Sequence, residues 1–222
     1  MGQLWIVRHG QASLGEANYD QLSALGQAQS ERLGEYWRQQ GQHFERVLRG
    51  SLTRHAQTLE GIATGMGHPL QAQVESALNE YDSEALIETI QPGPRPAPRD
   101  AESVRQHFVW LREALTRWIR AEVQPVGMPS HAEFMRGLVA TLEAVLAADQ
   151  GPVLMVSSGG PISMLIAHVL GAPAHSAIEL NMRIRNTGLT EMHFKRGRIS
   201  LASYNTLPHL SGPDHAHWLT YA

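Results

Sequence analysis

Leu4-Trp5-Ile6-Val7-Arg8-His9-Gly10 decides how the rest of the chain is read. Apolar residues run straight into Arg-His-Gly, so the stretch reads as a short buried strand that breaks into a loop at a glycine. In open α/β sheets, ligands bind beyond the carboxyl ends of the strands, and this strand delivers Arg8 and His9 to such an end. Arg8 suits a phosphate because a guanidinium donates two parallel hydrogen bonds and keeps its charge. The neutral imidazole of His9 can attack phosphorus and carry the phosphoryl group covalently. The opening therefore points to phosphoryl chemistry.

Outward from that strand, helical and extended patterns alternate. Leu22, Leu25, Ala28, Leu33, Tyr36 and Trp37 recur at helical spacing and predict a helix over 23–39. Residues 47–51 read as a second strand and turn, with Ser51 or Thr53 as the cap of a helix carrying Arg54, Gln57, Thr58 and Ile62. Pro92, Pro94, Pro96 and Pro98 require a loop. Helices are predicted over 101–122 and 130–148, the latter opened by a Ser130/Glu133 capping box. Residues 153–157 form the cleanest buried strand. It runs into Ser158-Gly159-Gly160-Pro161 and a helix to about 170, with Pro161 as the first helical residue. Residues 188–194 and 199–204 read as a final strand pair, followed by a tail rich in Pro, His and Gly. This alternation predicts an α/β fold. It is a three-layer α/β/α sandwich with a mainly parallel central sheet, one antiparallel member and a helical insertion, about 80–130, over the site. The reading is of a single domain spanning 1–222.

Composition narrows the function. The chain has 222 residues, 42% of them hydrophobic, enough for a sizeable core, and a formal net charge of -3. That balance argues against nucleic-acid binding through a broad basic face. There is no cysteine, hence no disulfide, thiolate metal site or cysteine nucleophile. No apolar run is long enough to span a membrane, and no signal-peptide pattern opens the chain, so a cytoplasmic protein is expected. His215 and His217 are a weak metal signal in the tail, so neither metal nor cofactor is expected. His168, between Ile166 and Leu170, reads as a packed helix residue, and Trp110, Leu111, Leu115 and Trp118 as core or lid packing.

The chemistry gathers at three strand ends: Arg8-His9-Gly10, the Ser51–Thr58 stretch with Arg54 in the first turn of a helix, and the 156–161 turn. The free N–H groups at the helix start in that turn favour an anion. Glu80, opening the insertion, is a carboxyl group able to protonate a leaving group. These segments resemble the histidine phosphatase superfamily, which includes cofactor-dependent phosphoglycerate mutases and the phosphatase domain of the bifunctional fructose-bisphosphate regulator. The resemblance spans nearly the whole chain. It covers 4–10, Leu22-Ser23 with Gly26 and Gln29, Ser51 with Arg54 and Gln57-Thr58, Leu78-Asn79-Glu80, Ser130 with Phe134 and Arg136, and 156–160. It implies His9 as nucleophile and Glu80 as acid and then base. It implies Arg8 and Arg54 as the phosphate clamp, with Gln11 and Ser158 as further phosphate-binding residues. It also implies that no metal is needed.

The chain departs from that pattern. The family has a second histidine before the glycine of the late turn, where this chain has Ser158. His209 is a candidate replacement if the tail folds back. The mutases have an asparagine where this chain has Gly15, Asn18 is not at the matching distance, and Tyr81-Asp82-Ser83-Glu84 is acidic where the mutases are basic. Hydrolysis of a small phosphomonoester is therefore favoured over mutase activity. A phosphate-binding protein with weak turnover is the alternative. Substrate identity and oligomeric state are not written in the sequence.

Overall fold

Strand β1 (Gly2–Arg8) sends alternate side chains to opposite sides, and each side meets its own core. Leu4 and Ile6 pack with Met155, Ile162 and Leu165 on one side, and Val7 packs with Leu33, Trp37 and Ile62 on the other. The structure is a computed structural model that describes all residues except 1, 14–19, 96–99, 149–150, 196 and 222. Gly15, Asn18, Pro96 and Pro98 lie outside the described residues.

After β1 come α1 (Ala24–Gln39), β2 (Arg46–Arg49), α2 (Thr53–Met66) and the short β3 (Gln73–Val74). Then follow α3 (Ser83–Glu88), α4 (Ala101–Ile119) and α5 (His131–Ala148). The last elements are β4 (Pro152–Ser157), α6 (Gly159–Val169), α7 (Ser176–Asn181), β5 (Leu189–Lys195) and β6 (Arg198–Thr206). The sheet order is β3-β2-β4-β1-β5-β6. β1, β2, β3 and β4 are parallel, and β5 runs against both its neighbours. The expected sandwich, with a mainly parallel sheet and one antiparallel strand, is what forms. The buried runs of β1 and β4 are apolar on both faces because helices cover both.

The ends of elements depend on contacts that periodicity does not register. Neither Ser51 nor Thr53 caps α2. Leu52 stands at its N-cap without a side-chain bond, and the Thr53 N–H donates instead to Asp20 Oδ2 at 2.8 Å. The Ser130/Glu133 box does form, with Ser130 N donating to Glu133 Oε2 at 2.9 Å and Glu133 N to Ser130 Oγ at 3.3 Å. α6 starts at Gly159, so Pro161 is its third residue, where a missing N–H still costs no helical bond. The short helices α3 and α7 were not expected. His168 is exposed, contrary to expectation, because it lies in the last turn of α6 where the helix leaves the core. Trp118, Leu111 and Leu115 are buried as expected. α1 and α2 pack closely at glycines: a Cβ on Gly65 would lie 2.0 Å from the Glu31 carbonyl oxygen.

Candidate active site

The parallel register brings the predicted strand ends together. Arg8 of β1 pairs with Ser157 of β4, and Arg49 of β2 pairs with Val156. The residues just past these strands are His9, Gly50-Ser51 and Ser158, so three separated segments meet at one edge of the sheet. The His9 N–H donates to the Ser157 carbonyl at 2.9 Å, which locks the first two together.

His9 is buried, and its Nδ1 lies 2.7 Å from the carbonyl oxygen of Gly10. A carbonyl only accepts, so Nδ1 carries the proton in the neutral ring and Nε2 holds the lone pair. Burial, followed by the charges of Arg8 and Arg54, holds the imidazole well below its ordinary pKa. His9 is therefore neutral, the form that attacks. Its carbonyl accepts from Asn186 Nδ2 at 3.2 Å and from the Thr187 N–H at 3.3 Å, and Thr187 holds a left-handed φ of 53°. A β-branched residue rarely adopts that conformation. Neither Asn186 nor Thr187 stood out in the sequence.

Arg54 is buried on α2 and paired with Asp20 at 2.8 Å. Arg8 donates from one guanidinium nitrogen to the carbonyls of Ile184 and Tyr221, each at 2.6 Å. The tail thus does fold back over this edge. Gln29 Nε2 also donates to the Trp218 carbonyl at 2.7 Å and to Thr220 Oγ1 at 3.0 Å. The Gln11 carboxamide oxygen accepts from Ser23 Oγ at 2.9 Å, tying this residue to the start of α1.

Glu80 is half-buried, and its position is built by its predecessors. The Ser157 hydroxyl donates to the Leu78 carbonyl at 2.7 Å. Asn79 exchanges two bonds with Ser51: the Ser51 N–H donates to Oδ1, and Nδ2 donates to Oγ, both at 2.7 Å. The carboxyl then accepts from the Gly160 N–H at 3.2 Å through Oε2, while Oε1 is enclosed with no partner among the described residues. Burial raises its pKa, against the Gly160 bond and the two arginines. Beside it opens a cleft of about 390 Å³ lined by Tyr81, Met128, Pro129 and Phe134 with Asp82 and Glu133, and among the described residues no Lys or Arg lines it.

Gln57 and Thr58 serve the scaffold. Gln57 Oε1 accepts from the Leu22 N–H at 2.8 Å, and Thr58 Oγ1 accepts from the Gly10 N–H at 3.0 Å. His209 is buried and bonds Thr187 at 2.9 Å, and burial, with Arg32 nearby, holds its imidazole down to about 3. The ring beside His9 is His55, with centroids 5.8 Å apart. Sequence reasoning passed over His55, although it adjoins Arg54. Among the described residues no group of three or more His, Asp and Glu side chains is gathered as for a metal ion, and no helix is long and apolar enough to cross a membrane.

Fold and site define an α/β protein with a buried, neutral histidine, its basicity lowered by two nearby arginines, at the carboxyl edge of its sheet. Residues 4–207 match the histidine phosphatase superfamily (branch 1), and the chain belongs to that superfamily. Among solved structures it resembles phosphoserine phosphatase from Entamoeba histolytica, at 18% identity and TM-score 0.66 over 95% of this chain and 100% of the other. It resembles the α-ribazole phosphatase of Shigella flexneri at 21% identity and TM-score 0.64, over 92% and 96% of the two chains. It also resembles a mycobacterial glucosyl-3-phosphoglycerate phosphatase at 20% and 0.64, over 92% and 98%. At these identities the likeness is one of fold. Comparison with curated protein sequences gave no match.

Proposed function

We propose that this protein hydrolyses small phosphomonoesters through a phosphohistidine at His9, without a metal ion. The observation that carries this reading is the His9 ring. Its Nδ1–H is bound to the Gly10 carbonyl, and its basicity is suppressed by burial and by the charges of two arginines. In the first step Nε2 forms a bond to phosphorus as the ester P–O bond breaks, and the raised carboxyl of Glu80 protonates the departing oxygen. In the second, the Glu80 carboxylate takes a proton from water, which attacks phosphorus and releases His9 and inorganic phosphate. Arg8 and Arg54 supply fixed positive charge to the phosphoryl oxygens.

The substrate class follows from the cleft beside Glu80. Its aromatic and apolar wall, with Asp82 and Glu133 and no cation among the described residues, suits a leaving group that is uncharged or cationic and partly apolar. A leaving group with its own carboxylate or second phosphate, as a mutase substrate has, meets like charge there.

The test is hydrolysis of p-nitrophenyl phosphate in chelator, together with rapid quench for protein-bound phosphate that is stable in base and lost in acid. Parent activity with a trapped phosphoenzyme, both absent in His9→Ala, supports the proposal. Equal rates in parent and His9→Ala overturn it. Turnover at background with a thermal midpoint raised by phosphate assigns the site to binding instead.

A further inference from the structure

His55 is a buried imidazole beside the nucleophile that the mechanism above does not use. It is 0% exposed. Its Nδ1 lies against Gly50, where an added Cβ would come within 2.2 Å of it, and finds no partner among the described residues. Its Nε2 lies 2.8 Å from Ser158 Oγ.

Ser158 is the second observation. It stands at the N-cap of α6, where a serine hydroxyl ordinarily accepts from the helix N–H groups. Here it makes no cap bond. The hydroxyl has turned from its own helix to His55. Ser158 follows β4 as His9 follows β1, and the two strand ends are bonded to each other, so this hydroxyl adjoins the phosphoryl site.

The direction of the His55–Ser158 bond decides what the pair can do. Burial pushes His55 down to about 3, so the ring is neutral with one N–H. With the proton on Nδ1, a buried donor would face Gly50 with no acceptor, and the serine proton would be used up on Nε2. With the proton on Nε2, the ring donates to Ser158 Oγ, and Nδ1 is only an unpaired acceptor. Orphaned buried donors are the rarer of the two defects. The second arrangement leaves the serine proton for another acceptor, and a donor that is itself bonded to a donor is strengthened.

We propose that His55 is a positioning residue of the phosphoryl pocket: its Nε2–H holds Ser158 Oγ, so that the Ser158 hydroxyl donates to a non-bridging phosphoryl oxygen during transfer. This rests on the phosphatase reading of His9.

The test is a double-mutant cycle on kcat, with His55→Phe, which keeps the ring volume and removes both nitrogens, beside Ser158→Ala and the double variant. Loss of one transition-state donor costs about 100-fold, so Ser158→Ala is expected to lower kcat about 100-fold with KM within about twofold. His55→Phe is expected to lower kcat about 10-fold. The double variant is expected to fall no further than Ser158→Ala, because a residue that acts only through the hydroxyl has nothing left to hold. His55→Phe within twofold of the parent, or a double variant at the product of the single losses, overturns the proposal. His9→Ala separates the two readings. If it abolishes turnover while His55→Phe does not lower it, only the role of His55 fails. If His9→Ala keeps parental turnover, both fail. Should the parent turn over too slowly to measure, the same cycle is read in the dissociation constant of vanadate, and a parent that neither turns over nor binds vanadate overturns both.

Discussion

Replacing Glu80 by glutamine keeps the shape of the side chain and removes its acidic proton. Oε2 accepts from the Gly160 N–H at 3.2 Å, Oε1 has no partner among the described residues, and burial raises the pKa. Glu80 thus stays protonated at pH values where a surface glutamate is ionised. That proton matters in proportion to how poor the leaving group is: an alkoxide needs it, a nitrophenolate hardly does. A positioned acid contributes about 10²–10⁴-fold, and Glu80→Gln is expected to slow phosphorylation by an alkyl phosphate about 10³-fold and by p-nitrophenyl phosphate less than about 10-fold. The larger loss corresponds to about 4 kcal/mol. The assay is single-turnover quench, which separates the proposed phosphorylation of His9 from the later hydrolysis.

The pH profile carries a second signature. In the parent, the phosphorylation rate is expected to fall on the acid side as His9 protonates, well below the ordinary imidazole value, and on the basic side as Glu80 ionises, above the ordinary carboxylate value. Glu80→Gln is expected to lose the basic limb and keep the acid one. Stability moves the other way. A carboxyl whose pKa is raised by folding contributes stability that is complete below its unfolded pKa and is lost as pH rises through the folded one. At neutral pH the variant is therefore expected to melt no lower than the parent, with any advantage disappearing on acidification. Equal losses for the two esters, or an unchanged basic limb, would refute the assignment of Glu80 as the acid.

Three further perturbations follow from the geometry. Asp20→Asn removes the carboxylate that pairs with buried Arg54 and caps α2. A loss of about 2 kcal/mol is expected, seen as a midpoint about 4–8 °C lower by calorimetry, and added phosphate should recover more of it than it adds to the parent. Gly50→Ala puts a Cβ 2.2 Å from His55 Nδ1 and 2.6 Å from Asn79 Oδ1. Overpacking of this kind costs about 1–3 kcal/mol; denaturant midpoints equal to the parent's would show that the site relaxes freely. Trp118→Ala removes a buried ring that stacks edge-on with Tyr81 and Phe134 and donates to the Pro129 carbonyl. Chemical denaturation should report a loss of about 3–5 kcal/mol, and KM for bulky esters should change more than for phenyl phosphate because these rings back the cleft.

The sequence by itself determined the strands other than the short β3, most of the helices and the residue types that could do phosphoryl chemistry. Those are local properties. An apolar run ending in glycine is a buried strand wherever it lies, and the Ser130/Glu133 box forms from residues three apart. The tertiary structure alone decided how the site is held. Asp20 reaches across 33 positions to cap α2, Ser157 reaches 79 to fasten the loop before Glu80, and His55 meets Ser158 across 103. No periodicity records such pairs, because they arise from the order in which strands enter the sheet. The same holds for His209, which the tail does carry back, but to Thr187. Periodicity identified the strand that presents His9, while the packing of neighbouring strand ends determined which imidazole stands beside it.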